Sequence, residues 1–199
     1  MNKNITILTV NQPNISDYSK VRNLMLQKTV TDWSFFLDSD ETLTTALKKE
    51  INKAIQNKKY NYQLKRQDYF LGRKLRFGET SKFKSTRLIQ KNQGQWRGRV
   101  HEIFISSLPT KLLKNPIIHQ RNITVSDFIN KINHYSELRS KEINNKSLLK
   151  LLFYPPLKFI QNYIFRLGFL DGIPGFIMAF LMSFHSLMVR IKVYENKND

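Results

Sequence analysis

Residues 32–41 read DWSFFLDSDE. Trp33, Phe35, Phe36 and Leu37 form a nearly continuous apolar run. It is short enough for a strand and apolar on both faces, as in a sheet covered from both sides. The run ends on Asp38, Asp40 and Glu41. In open α/β sheets, ligands bind beyond the carboxyl ends of the strands. Carboxylates crowded together there repel one another unless a cation sits among them. Magnesium and manganese take oxygen ligands and bridge carboxylates to phosphate oxygens. The local chemistry that fits is a divalent cation, Mg or Mn, holding a diphosphate. The plain alternative is a group of solvated acids before a helix, since acids favour helix N-termini. Asp-x-Asp by itself does not separate the two.

Working outward, residues 42–57, TLTTALKKEINKAIQN, place Leu43, Leu47, Ile51, Ala54 and Ile55 at helical spacing, with lysines on the other side. Upstream, residues 4–10, NITILTV, read as a strand ended by Pro13. Ser16 is placed to cap a helix whose apolar face is Tyr18, Val21, Leu24 and Met25. Downstream, residues 60–69, 85–90 and 99–106 read as strands. Between the last two, KNQGQWRG, with Gly94 and Gly98, reads as a hairpin-like connection. Thr124 and Asp127 have capping-box spacing at the start of a helix over 124–143, with Phe128, Ile132, Tyr135 and Leu138 as its buried stripe.

The whole chain has 199 residues, with 33 Lys and Arg against 15 Asp and Glu, a net charge of +18. Such a surface attracts nucleic acid, anionic lipid or phosphorylated substrates. The basic residues are spread along the chain without a glycine-rich or aromatic nucleic-acid signature, which argues against nucleic acid. Cysteine is absent, so disulfides and thiolate metal sites are excluded. The first 14 residues are too polar for a secretory signal. After Ser147 the composition turns apolar and aromatic, with scattered Lys and Arg and with Asp171 as the one acid before Glu195. Pro155–Pro156 and the glycines at 172 and 175 are expected to break this part into pieces. The longest, 173–189, falls just short of the roughly 20 residues of a spanning helix. The expectation is a set of helices lying in a membrane interface, held by apolar burial and anionic lipid. An apolar subdomain packed on the core is the alternative.

Residues 18–51, YSKVRNLMLQKTVTDWSFFLDSDETLTTALKKEI, resemble the middle of family-two glycosyltransferases with a nucleotide-diphospho-sugar (GT-A type) fold. That pattern is an Arg-Asn helix, a "DW" strand, Asp-x-Asp-Glu and an amphipathic helix. YFLGRKLRFG, TRLIQKNQGQWRGRVHE, LKNPIIHQ, FINKINHYSELRSKE and YIFRLGFLDGIPGFIMAFL resemble blocks of its lipopolysaccharide-core β-glucosyltransferase-like branch. The resemblance runs over roughly residues 15–194, with the motifs in order. It implies an inverting, metal-dependent transferase moving a hexose, with glucose as one candidate, from a UDP-sugar to a cell-envelope glycolipid such as a lipopolysaccharide core. It also implies a peripheral place on the cytoplasmic face of the inner membrane.

Residue by residue, the resemblance implies Asp40 as a metal ligand and Asp38 as a second ligand or a neighbour of the ribose or sugar. Arg22 approaches the nucleotide and Arg87 the pyrophosphate. Glu102, in WRGRVHE, is the candidate base that takes the acceptor hydroxyl proton, with Arg97, Arg99 or the metal expected to favour its ionised form. His101 and His119 orient substrate or complete the metal shell, and Trp96 stacks on a sugar ring. Each has a plainer reading as a surface ion pair, a structural histidine or a core aromatic. The family's opening strand, helix and uridine-binding acids have no counterpart before residue 15. The expected division is therefore a truncated catalytic domain over 1–123, a linking amphipathic helix over 124–147 and a membrane-associating region over 148–199. The chain is expected to be a C-terminal fragment, to act with a separate N-terminal half, or to be a catalytically silent membrane-peripheral remnant.

Overall fold

The computed structural model describes residues 3–10, 15–99, 102–121, 124–143 and 145–195. By its internal contacts the chain divides into two units. One comprises residues 1–67 and 83–120, the other residues 68–82 and 121–199. Both apolar C-terminal helices and the helix before them thus share a unit with the 68–82 excursion, a grouping that linear segmentation of the sequence does not produce.

The first unit is built on a βαβ start. Strand β1 (Ile5–Leu8) leads through helix α1 (Tyr18–Lys28) to strand β2 (Trp33–Phe36), and β1 and β2 pair in parallel. A two-residue strand β3 (Glu41–Thr42) and helix α2 (Thr45–Ala54) follow, then β4 (Asn61–Phe70), the second unit's β5 (Arg73–Lys74), and β6 (Lys84–Gln90). Next come β7 (Gly94–Arg97), β8 (Ile103–Ser106), β9 (Thr110–Leu112) and β10 (Ile117–Arg121). The main sheet runs β1-β2-β6-β4-β10-β3, with β5 and β9 also paired to β4.

Strand β2 explains why the sheet is covered on both faces. Alternate side chains point to opposite faces. Trp33 and Phe35 enter a core with Leu47, Ile51 and Ile55 from α2 and its C-terminal end, and with Leu64, Leu88 and Ile117 from neighbouring strands. Phe36 faces the other way, into a cluster with Ile89 and Trp96. All four strand residues are buried, as the continuous apolar run requires. The α2 face also follows the sequence pattern, with Thr44 capping through its side chain to the Leu47 amide.

Elsewhere local sequence and structure part company. The α1 cap is Asp17, not Ser16; the Asp17 carboxylate accepts from the Lys20 amide at 3.1 Å. The inward line of α1 is Ser19, Arg22 and the flanks of Met25, as expected, and Leu26, while Leu24 is exposed. The helix is turned so that an arginine, not an apolar stripe, faces the sheet. The segment 91–98 is not merely a connection. It contributes β7, which pairs antiparallel with β8 as a separate ribbon. Gly94 is needed there, because a Cβ would lie 2.1 Å from the Ile105 carbonyl oxygen.

The second unit carries helices α3 (Val125–Ser140), α4 (Leu148–Ile160) and α5 (Ile173–Glu195). The Thr124–Asp127 capping box forms in both directions. The α3 stripe is Phe128, Ile132, Ser136 and Ser140; Tyr135 and Leu138 stay half-buried. A four-residue step replaces the expected mixed one, and the small serines allow close approach. Phe70, Leu75, Phe128, Ile132, Met178 and Leu181 form this unit's core. Pro155 and Pro156 lie inside α4 instead of breaking it. Each lacks the N–H that would bond the carbonyl four residues back. A π-helical turn (Gln161–Phe165) and a 3-10 turn (Gly168–Asp171) lead into α5. The Asp171 carboxylate anchors that junction by accepting from the Arg76 and Phe77 amides at 3.0 and 2.9 Å. By length and composition α5, at 23 residues, is apolar enough to cross a membrane, and a third of its most apolar window is buried.

Candidate functional site

The parity that buries Phe36 also builds the site. Ser34 of β2 stands opposite Ile89 of β6. Continuing that antiparallel register brings Phe36 opposite Arg87, and Asp38 opposite Ser85, all on one face. The side chains agree. Arg87 Nε donates to Ser85 Oγ at 2.9 Å, and Arg87 Nη2 to Asp38 Oδ2 at 3.1 Å. The same Nη2 donates to Glu41 Oε1 at 2.9 Å.

Immediately after β2 the chain turns, and the Glu41 amide donates to the Asp38 carbonyl at 3.0 Å. Glu41 folds back, so that its Oε2 accepts from the Asp38 amide at 3.0 Å. Strand β3 then pairs with β10, which sets His119 opposite Glu41. His119 Nε2 stands 3.1 Å from Asp40 Oδ2. Asp38 and Asp40 leave the turn toward different partners: two arginines for the first, an imidazole for the second.

The remaining groups come from α1 and from the start of β8. Arg22 is buried beneath α1, its guanidinium carbon 4.9 Å from the Phe36 ring centre and 5.0 Å from that of Trp96. It donates from Nε to Glu102 Oε1 at 2.6 Å, and its Nη2 lies 3.4 Å from Asp38 Oδ1. One guanidinium thus joins the Asp-x-Asp turn to a carboxylate 80 positions away from it in sequence. The next residue, Asn23, holds β7: its Nδ2 donates to the Trp96 carbonyl at 2.9 Å, and its Oδ1 accepts from the Trp96 amide at 2.8 Å. Trp96 packs edge-on against Phe36, with ring centres 5.2 Å apart.

Charge balance follows from this geometry. Burial works to raise the Asp38 carboxyl, but Arg87 and Arg22 beside it outweigh burial and hold it below the ordinary aspartate value. At Glu41 burial wins over Arg87, and the neighbouring Asp38 charge adds to it, so its carboxyl is raised. Burial works against the Arg87 charge, but Asp38 and Glu41 more than compensate and raise it. Each arginine also carries a buried Nη1 with no hydrogen-bond partner among the described residues. Leaving a buried charged donor unmatched is costly.

Arg22, Asp38, Arg87 and Glu102 are therefore gathered into one network, and Asp40 with His119 adjoins it. Trp96 lies beneath Arg22 as part of the packing. His101 lies outside the described residues. The cation on Glu102 is Arg22, where the sequence points to the nearer Arg97 and Arg99. Glu41, one of the three crowded acids in the sequence, instead pairs with Arg87; Asn23 and Ser85 are given no individual role by the sequence. Alternation along β6 from Arg87 is the signal that finds Ser85, and the Arg-Asn pair is the one that finds Asn23.

Among the described residues no group of three His, Asp, Glu or Cys side chains is arranged to hold a metal ion. Asp40 and His119 nevertheless make a compatible edge. Two ligands each about 2.1 Å from an octahedral ion stand about 3 Å apart, close to the separation found. Magnesium-type ions commonly keep waters and substrate phosphates in their other positions.

No family model matches the chain. Over 188 residues it is 25% identical to LpsC of Rhizobium meliloti (strain 1021), described as a lipopolysaccharide core biosynthesis glycosyltransferase. The aligned region covers 89% of this chain and 69% of that protein. The likeness supports a glycosyltransferase relationship at that coarse level.

Proposed function

We propose that the protein is an inverting glycosyltransferase that moves a hexose from a UDP-sugar to the hydroxyl of a cell-envelope glycolipid. The observation that carries this reading is Arg22, whose guanidinium spans Asp38 and Glu102. It ties Asp38, the first acid of the turn, to a carboxylate suited to general-base work, with Asp40 two residues beyond. The distant likeness to a lipopolysaccharide core glycosyltransferase supports the same class.

In this reading Glu102 takes the proton of the acceptor hydroxyl as that oxygen bonds to the anomeric carbon. The bond from that carbon to the β-phosphate oxygen breaks on the opposite side, and UDP leaves with the electron pair. Arg22 fixes the direction of the Glu102 carboxylate. Arg87 and Arg22 supply the positive charge that would offset the charge growing on the leaving diphosphate. Asp40 and His119 would hold the divalent cation, which when bound supplies Lewis-acid stabilisation of that same charge.

The test uses purified full chain, UDP-glucose, manganese and extracted core glycolipid, with UDP release as the readout. Acceptor-dependent release is expected. Glu102→Gln should lower kcat by about 10²–10⁴-fold with UDP binding retained, and Asp40→Ala should weaken UDP binding only when manganese is present. If the chain binds neither UDP nor UDP-sugar with manganese present, the ion-pair network is purely structural and the proposal fails.

A further inference from the structure

The second unit leaves a large apolar face uncovered. On α4, Leu149, Leu152, Phe153 and Leu157 are each more than half exposed. They recur at three- and four-residue steps and so share one side of the helix. In the turns beyond, Phe165 is 78% exposed, and Ile173 at the start of α5 is 75% exposed. Isolated exposed apolar side chains are ordinary; a continuous set of this size marks an interaction surface.

Charge identifies the occupant. Lys150 is exposed on α4, and Arg166 follows in the turn. The one acid between residues 145 and 194, Asp171, is buried and engaged by two backbone amides. Glu79 is matched by Lys158, whose Nζ donates at 2.7 Å. Lys150 and Arg166 beside exposed leucine and phenylalanine offer a second copy of the same face no opposite charge. That face complements a bilayer whose acyl chains take the apolar groups and whose anionic headgroups meet the lysine and arginine.

The composition of α5 suggests a different answer, a helix that crosses the bilayer. Helix α3 argues against it. Phe128 and Ile132 of α3 pack with Met178 and Leu181 of α5. Lys192 of α5 donates to the Asn133 carbonyl and to Asn133 Oδ1, both at 2.7 Å. The outward side of α3 carries Asp127, Lys131 and Arg139, all exposed. A span by α5 would draw these into hydrocarbon at about 2.5–3.5 kcal/mol per charged group at the centre. We infer that the protein seats on one leaflet of an anionic membrane, with α4 and the 161–173 turns sunk into the interface in its plane and α5 packed above them without crossing. The inference does not rest on the proposed transfer reaction.

The experiment is cosedimentation of the full chain with vesicles of phosphatidylglycerol and phosphatidylcholine, against phosphatidylcholine alone. Binding at least tenfold stronger to the anionic vesicles is expected, together with release from bacterial membranes by alkaline carbonate. Leu152→Glu with Leu157→Glu should cut vesicle binding by tenfold or more. Phe165→Ser should weaken it with unchanged circular dichroism, and so covers the case in which the double variant fails to fold. Val30→Glu, on an exposed apolar residue of the first unit, should leave binding intact. Any of three results would overturn the seat: a dimer by light scattering that ignores vesicles, retention after carbonate, or equal binding by wild type and Phe165→Ser.

Discussion

Arg87 has the least freedom of any residue in the site. It is buried, charged, and shared between Asp38 and Glu41. Removing one partner of a buried ion pair strands the other, which typically costs about 3–5 kcal/mol, whereas replacing the group as a unit costs far less. Arg87→Met should therefore lower stability by about 3 kcal/mol or more in urea unfolding. Adding Glu41→Gln to that variant should recover part of the loss, since one stranded acid is gone. The members of this network are legible only in part: the acidic turn marks Asp38 and Asp40, and the family resemblance marks Glu102, Arg22 and Arg87, with the two arginines expected beside the nucleotide and the pyrophosphate, not on these acids. Which cation meets which acid was not legible, because Arg22 and Glu102 are joined by tertiary packing across 80 positions. Nothing in local sequence favours Arg22 over the adjacent Arg97 or Arg99.

At the scale of elements, short contacts made by single side chains hold the pieces in register. Glu50 on α2 accepts from the Lys114 and Asn115 amides at 2.7 and 2.9 Å and from Asn115 Nδ2 at 2.7 Å. Burial acts to raise this carboxyl, but those donors prevail and hold it below its ordinary value of 4.5. A carboxyl depressed by folding contributes stability that is complete above its unfolded value and is lost as pH falls through its folded value. Glu50→Gln should thus lower stability near neutrality and flatten the decline below pH 4.5, as read from denaturant midpoints across pH. Gly175 plays a comparable part where α5 begins. A Cβ there would sit 2.1 Å from the Gly168 carbonyl oxygen and 2.8 Å from Asp171 Cβ. Gly175→Ala must push backbone against backbone and should lower the melting temperature by several degrees, about 1 kcal/mol or more on the scale of overpacking. Hydrophobic spacing reveals the existence of α2, α3 and β2, but the faces of α1 and α3 only in part. A charged residue takes the inward position of α1, and serines take inward positions of α3, so apolar periodicity points a little to the side of the true contact. The prolines of α4 mislead for a related reason: a local penalty of about 3 kcal/mol is overridden by the packing of a long helix pair, including the bond from Ser183 Oγ to the Pro155 carbonyl at 2.7 Å.

For the molecule as a whole, the net charge of +18 bears on solubility. Net charge keeps copies apart in dilute salt, but that repulsion weakens once ions screen it. Protection that does not depend on charge then matters most at the short ribbon of β7 and β8. The pair of bonds between Asn23 and Trp96 has a consequence here. A carboxamide that both gives to a strand carbonyl and takes from a strand amide imitates a neighbouring peptide unit. By occupying that margin, Asn23 denies it to another polypeptide, the usual route by which an open sheet border templates fibrils. Asn23→Ala should fold, yet in salt and mild warmth it should gain thioflavin fluorescence sooner than the parent chain. The asparagine beside the site arginine would then be a guard against self-assembly.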